Sequence, residues 1–156
     1  MKLIESKAEL VLQQEGLEGV YKQIELCGRT CYKSTNKITE DSAKPFVDRM
    51  IASKHTAMLE HGTVYLKVPM YDSNVDFAYQ RYFYNKYSEV YDYIEKEGYA
   101  TRDKDCYYVT TNLRVIVENN WLEDLQYICE PTEHHEKRYT FRFTTDRGVS
   151  HKKFVA

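Results

Sequence analysis

Long apolar runs are missing from this chain of 156 residues. No stretch approaches the roughly 20 apolar residues that a bilayer-spanning helix needs. Met1 to Leu10 contains no apolar block of the kind found in a secretory leader. An excess of one charge is missing too, since 22 Lys and Arg face 24 Asp and Glu for a formal net charge of −2. That balance offers no broad electrostatic basis for nucleic-acid binding. No basic amphipathic helix argues for a membrane surface. The four cysteines, Cys27, Cys31, Cys106 and Cys129, include no Cys-x-x-Cys pair of zinc or redox type. Internal repeats and low-complexity segments are absent. The expectation is a cytoplasmic protein with no nucleic-acid partner, no membrane partner and no metal.

What is present is enough chain for one domain with a real core. An excess of tyrosine stands out, 15 in all. A tyrosine buries a ring but needs a partner for its hydroxyl, which points to half-buried strands, interfaces or pockets. Apolar residues at steps of three and four (Leu17, Val20, Tyr21, Ile24, Cys27, Cys31) predict a helix from Gly16 to Tyr32. Ser42 is placed to cap a second helix with Pro45 in its first turn, Phe46, Met50 and Ile51 on its inner face, and an end near Lys54. Thr63 to Val68 alternates and predicts a half-buried strand with Val64, Leu66 and Val68 inward.

Later segments read less sharply. Met1–Glu5 suggests a first strand, and Phe77–Tyr84 a short helix. Ser88–Ile94 and Cys106–Thr111 suggest a hairpin whose loop is Glu95–Asp105. Asn112–Asn120 reads as a helical link. Asn120-Trp121-Leu122-Glu123 has the spacing of a capping box for a further short helix. Tyr139–Thr144 alternates as a strand, and Asp146–His151 resembles a helix start. Together these predict an α+β fold (α/β mixed), with helices packed on one face of a mostly antiparallel sheet.

The candidate site is the turn from Lys54 to Gly62, where a helix hands over to a strand and two histidines flank a carboxylate. A rigid element positions such a turn and a loop exposes it. Other candidates read more plainly as structure. Cys27 and Cys31 share a helix face and suit core packing. A nucleophilic Cys31 would sit at a helix carboxyl end, where the dipole disfavours thiolate. Adjacent His134 and His135 point apart and lack metal-ligand spacing, so Glu133 to Glu136 is expected to be a solvated turn. The tyrosines from Tyr79 to Tyr99 would offer stacking platforms for single strands, but Glu89, Asp92, Glu95 and Glu97 repel phosphate.

Three pieces in order carry a resemblance. They are Gly28-Arg29-Thr30-Cys31-Tyr32, then His55-x-x-x-x-Glu60-His61 before an aromatic-rich strand, then Tyr139-Thr140-Phe141-Arg142-Phe143 leading to Asp146-Arg147-Gly148-Val149-Ser150-His151. The chain resembles the amino-terminal part of the flavin-dependent thymidylate synthases. The resemblance implies a homo-oligomer with flavin bound between subunits. It also implies FAD, NADPH and methylene-tetrahydrofolate as cofactors and deoxyuridine monophosphate as the nucleotide to be methylated. His55 and Glu60 match the flavin-contacting turn, and Cys31 falls near FAD. The whole of 1–156 would be one truncated domain of this type, with 70–138 as an insertion. The family's Arg-His-Arg signature is not found after Ser150-His151-Lys152-Lys153. Lys152 and Lys153 are point charges and poor substitutes for bidentate forks on phosphate. The expectation is that no catalytic residue set is complete and that this chain alone does not make thymidylate.

Overall fold

The computed structural model describes residues 5–69, 80–92 and 106–145. In chain order the elements are β1 (Lys7–Val11), α1 (Gly16–Cys31), α2 (Ala43–Ala52), β2 (Thr63–Pro69), β3 (Glu89–Asp92), β4 (Cys106–Asn112), α3 (Leu113–Glu118) and β5 (Thr140–Thr144). Short 3-10 turns lie at Thr35–Lys37, Thr56–His61 and Leu122–Tyr127. The chain divides into two compact units, one of residues 13–137 and one that joins the residues up to Leu12 to those from Arg138 onward. The fold is mixed α and β with antiparallel sheets, as the patterning predicts. The loop expected at Glu95–Asp105, the helix start at Asp146–His151 and most of the strand expected at Met1–Glu5 lie outside the described residues.

The larger unit is built on a three-stranded antiparallel sheet in the order β2-β4-β3. β2 pairs with β4 from Thr63↔Asn112 to Pro69↔Cys106, and β3 pairs with β4 from Glu89↔Thr110 to Asp92↔Tyr107. Alternation puts Val64, Leu66 and Val68 on one face of β2, each at most 1% exposed. They join Val20, Ile24, Phe46, Val47, Leu59, Val109, Leu113 and Ile116 in one apolar cluster. Segment 70–138, expected to be an insertion, supplies the central strand β4.

Two glycines let these layers meet. A Cβ at Gly28 would stand 2.6 Å from the Phe46 ring, so its absence lets α1 and α2 approach. A Cβ at Gly62 would stand 2.6 Å to 2.8 Å from Ile24 and Val20, so the start of β2 is pressed onto α1.

The helices end alike. After α1, Ser34 N–H donates to Arg29 C=O and Lys33 N–H to Thr30 C=O. After α2, His55 N–H donates to Met50 C=O and Lys54 N–H to Ile51 C=O. After α3, Trp121 N–H donates to Ile116 C=O and Asn120 N–H to Val117 C=O. Each pair is a Schellman motif, which needs a left-handed residue after the helix. Here that residue is Lys33, Lys54 or Asn120, with φ of 50°, 57° and 59°. Asn120 therefore closes α3. The capping box expected there is not formed, since Trp121 precedes the next turn without a side-chain cap. Ser42 does precede α2, but its hydroxyl bonds to Glu25 and Thr39 instead of capping the helix. Asn112 is the side-chain cap of α3, its Oδ1 accepting from Val115 N–H at 3.0 Å.

The smaller unit corrects a second expectation. β5 does not join the main sheet; it pairs antiparallel with β1, from Lys7↔Thr144 to Val11↔Thr140. Glu9 and Arg142 face one another in that register and form an ion pair at 2.9 Å.

Gly62→Ala is expected to lower stability by about 1–3 kcal/mol through overpacking. A lower urea midpoint at unchanged slope would show it. Lys33→Gly and Lys54→Gly are each expected to raise stability, by up to about 1 kcal/mol, because glycine removes the left-handed strain.

Candidate functional site

The turn between α2 and β2 is seated at both ends. Its entry is fixed by the His55 N–H bond that closes α2, at 2.9 Å. Its exit is fixed by Leu113 N–H, which donates to Gly62 C=O at 3.0 Å. The Gln13 amide then grips both backbone groups of Thr63, donating to its C=O at 2.8 Å and accepting from its N–H at 2.9 Å. In the middle, Leu59 is fully buried. This anchoring leaves His55, Glu60 and His61 exposed on a turn whose backbone is held.

One residue from α3 organises the side chains there. Arg114 Nη1 donates to Glu60, and its Nε donates to Glu118 Oε1 at 2.8 Å. The same Glu118 oxygen accepts from Thr56 Oγ1 at 2.5 Å. Thr56 and Arg114 hold the Glu118 carboxyl below its usual range, and Glu118 and Glu60 raise the Arg114 guanidinium above its own. The turn thus presents two imidazoles and a carboxylate tied to a guanidinium. Arg114 was not legible in the sequence because its partner Glu60 comes from another element, 54 positions away. Only its i, i+4 spacing to Glu118 was visible.

Cys31 is exposed at the end of α1, which corrects its expected place in the core; Cys27, one turn earlier, is half-buried. Burial pushes the Cys27 thiol up, with Cys31 adding to it. The turn meets α1 near Ile24, and Cys31 lies about 10 Å further along the helix axis. No hydrogen bond, ion pair or ring contact among the described residues joins Cys31 to His55 or Glu60.

Arg29, in the same motif as Cys31, is a structural residue. Its Nε donates to Glu25 Oε1 at 2.6 Å, and the two side chains are only 9% and 1% exposed. Ser42 Oγ donates to the other Glu25 oxygen at 2.9 Å, and the guanidinium lies 5.1 Å from the centre of the Phe46 ring. This buried group ties α1 to the start of α2 and commits Arg29 away from the Cys31 thiol. The i, i+4 acid-to-base spacing of Glu25 and Arg29 was its sequence signal.

The histidine pair divides. His134 is half-buried and stacks on Tyr91, with ring centres 4.9 Å apart, and tilts over Tyr108 at 4.7 Å. His135 is buried, which corrects the solvated turn expected there. Its Nδ1 accepts from Thr132 N–H at 3.0 Å and its Nε2 lies 3.1 Å from Leu66 C=O. Among the described residues no group of three or more His, Cys, Asp and Glu is placed to hold a metal. Nor is any helix among them long and apolar enough to cross a membrane.

The tyrosine-rich segment also divides. Tyr82 is fully buried, edge-on to Trp121, and its hydroxyl donates to Asp124 Oδ2 at 2.7 Å. Burial and the Asp124 carboxylate push that phenol far above its usual range. Arg81 shares Asp124 and lies over the Trp121 ring at 4.9 Å. Tyr84 and Tyr87 are exposed. Comparison with family models, curated proteins and solved structures gives no match.

Arg29→Met is expected to cost about 3–5 kcal/mol, because Glu25 is left buried and unpaired. Glu25→Leu with Arg29→Met should recover most of that loss. Denaturation of both variants checks the pair, and an equal loss in the double variant would contradict the account.

Proposed function

We propose that this chain is a flavin-dependent thymidylate synthase-like protein whose turn 55–61 is its flavin-facing surface. The observation that carries the reading is the presentation of His55 and Glu60, the residues matched by the resemblance, on an exposed turn with an anchored backbone. The family reaction is the FAD- and NADPH-dependent methylation of deoxyuridine monophosphate with methylene-tetrahydrofolate. The polypeptide 1–156 does not complete it unaided. Its sequence has no Arg-His-Arg, Arg29 is buried against Glu25, and Arg114 is engaged by two carboxylates. None of these guanidiniums is a ready fork for phosphate. Cys31 enters the proposal as a contact made across a subunit boundary of a homo-oligomer.

A second reading is a non-catalytic protein that keeps the fold and self-associates or binds a partner. It is favoured by the apolar face of the β1–β5 ribbon, where Leu10, Phe141 and Phe143 lie on one side and are about half or more exposed. A two-stranded ribbon is marginal by itself.

Titrating the purified chain with FAD, followed by flavin fluorescence and absorbance, separates the two. The first reading expects saturable uptake, weakened about tenfold, about 1.4 kcal/mol, by joint His55→Ala and Glu60→Ala substitution, and no thymidylate formed. No uptake, together with an oligomer that Phe141→Ser and Phe143→Ser dissociate, would replace it with the second. Efficient unaided thymidylate synthesis would overturn both.

A further inference from the structure

The segment from Cys129 to His135 lies against β2 through a small set of bonds. Cys129 N–H donates to Tyr65 C=O at 2.9 Å, and Ile128 bridges to Leu66. These cover part of the edge of β2 that β4 does not occupy. His135 adds further bonds to this attachment. A backbone N–H can only donate and a carbonyl can only accept. The Thr132 N–H at Nδ1 and the Leu66 C=O at Nε2 therefore require a neutral ring with its proton on Nε2. A second proton has only Nδ1 to occupy; it would break the Thr132 N–H bond and leave the Thr132 hydroxyl, also 3.0 Å from Nδ1, as its acceptor.

We propose that residues 129–135 form an acid-released clasp on β2, closed by neutral His135 and opened when its Nδ1 is protonated. Apart from the Thr132 hydroxyl at Nδ1, the ring's hydrogen-bond contacts among the described residues include no carboxylate. Tyr65 and Tyr108 stand T-shaped to it, with ring centres 5.3 Å and 5.4 Å away. The Cys129 sulfur is 3.9 Å from Nε2. Lys67, next to Leu66, lies over Tyr108 and adds positive charge to the same face. The nearby carboxylate of Glu133 is 3.7 Å from His134 Nε2. Opening would lift His134 from Tyr91 and Tyr108 and uncover the Tyr65 C=O, making an aromatic patch and a free strand edge available at low pH.

The direction follows from linkage. Burial lowers the His135 pKa from its ordinary 6.5, the Leu66 carbonyl opposes this, and His134 adds to the lowering. A folded value below the unfolded one means that the stabilisation is complete above the ordinary value and is lost as pH falls through the folded one.

Hydrogen exchange of the full chain, followed by mass spectrometry from about pH 7.5 to about pH 5 and corrected for intrinsic rates, tests this. Opening of the peptide spanning 128–135 should rise by up to about tenfold per pH unit in the acid range, while α1 stays protected. His135→Gln keeps a donor for Leu66 and cannot titrate, so it should flatten the dependence. His134→Gln should leave the dependence in place. Protection that does not change with pH, or that falls equally in His135→Gln, would overturn the proposal. Should His135→Gln fail to fold, nitrogen shifts of the wild-type imidazole decide. A ring protonated on Nε2 alone near neutral pH supports the clasp, and one protonated on Nδ1 sinks it.

Discussion

Burial of one whole face of β2, and of Tyr65 on the other, is the constraint on which the larger unit depends. Val64, Leu66 and Val68 are shut against the helices, while Tyr65, at 9% exposed, is covered on the opposite face. β4 pairs along one edge, and residues 128–129 cover part of the other. A strand enclosed this way cannot shift register by one residue without turning its apolar set to the wrong side. Gly62 is the tight point of that arrangement, because the chain enters β2 in contact with Val20 and Ile24. The turn before it inherits this rigidity, which is how an exposed histidine and carboxylate come to stand on a fixed backbone.

Two arginines show how similar chemistry serves different ends. Arg29 and Glu25 are removed from water, so each is costly without the other, and together they specify how α1 meets α2. Arg114 is about a third exposed and bonds to Glu60 and Glu118 at the surface, where an ion pair contributes little to stability. Its effect is to set where the Glu60 carboxylate points. The proposed flavin surface therefore rests on a backbone held by burial and on side chains oriented by a weak network.

Much of this was legible from pattern. β2 alternates cleanly, α1 and α2 carry apolar stripes, and the β3–β4 hairpin shows in two β-rich runs around a charged segment. The helix ends were harder to read, because the residues taking the left-handed conformation are Lys33, Lys54 and Asn120, and a lysine carries none of the signal that glycine would. Asn120 misled for a physical reason: asparagine suits both the start of a helix and the residue after its end. The pairing of β5 with β1 depends on residues 129 to 137 positions apart in sequence, for which alternation holds no information. The burial of His135 depends on the Leu66 carbonyl, 69 positions away. At the site, the exposed turn was legible while the guanidinium that organises it was not, and Cys31 proved exposed where its periodicity placed it inside.

Native-state hydrogen exchange of β2 and of the turn before it tests the central claim most directly. Amides of β2 and β4 should be among the slowest in the chain and open only with global unfolding, and the His55 N–H and Gly62 N–H should be protected well beyond a free loop. A turn exchanging at free-loop rates, or a β2 that opens well before α1 and β4, would contradict the account.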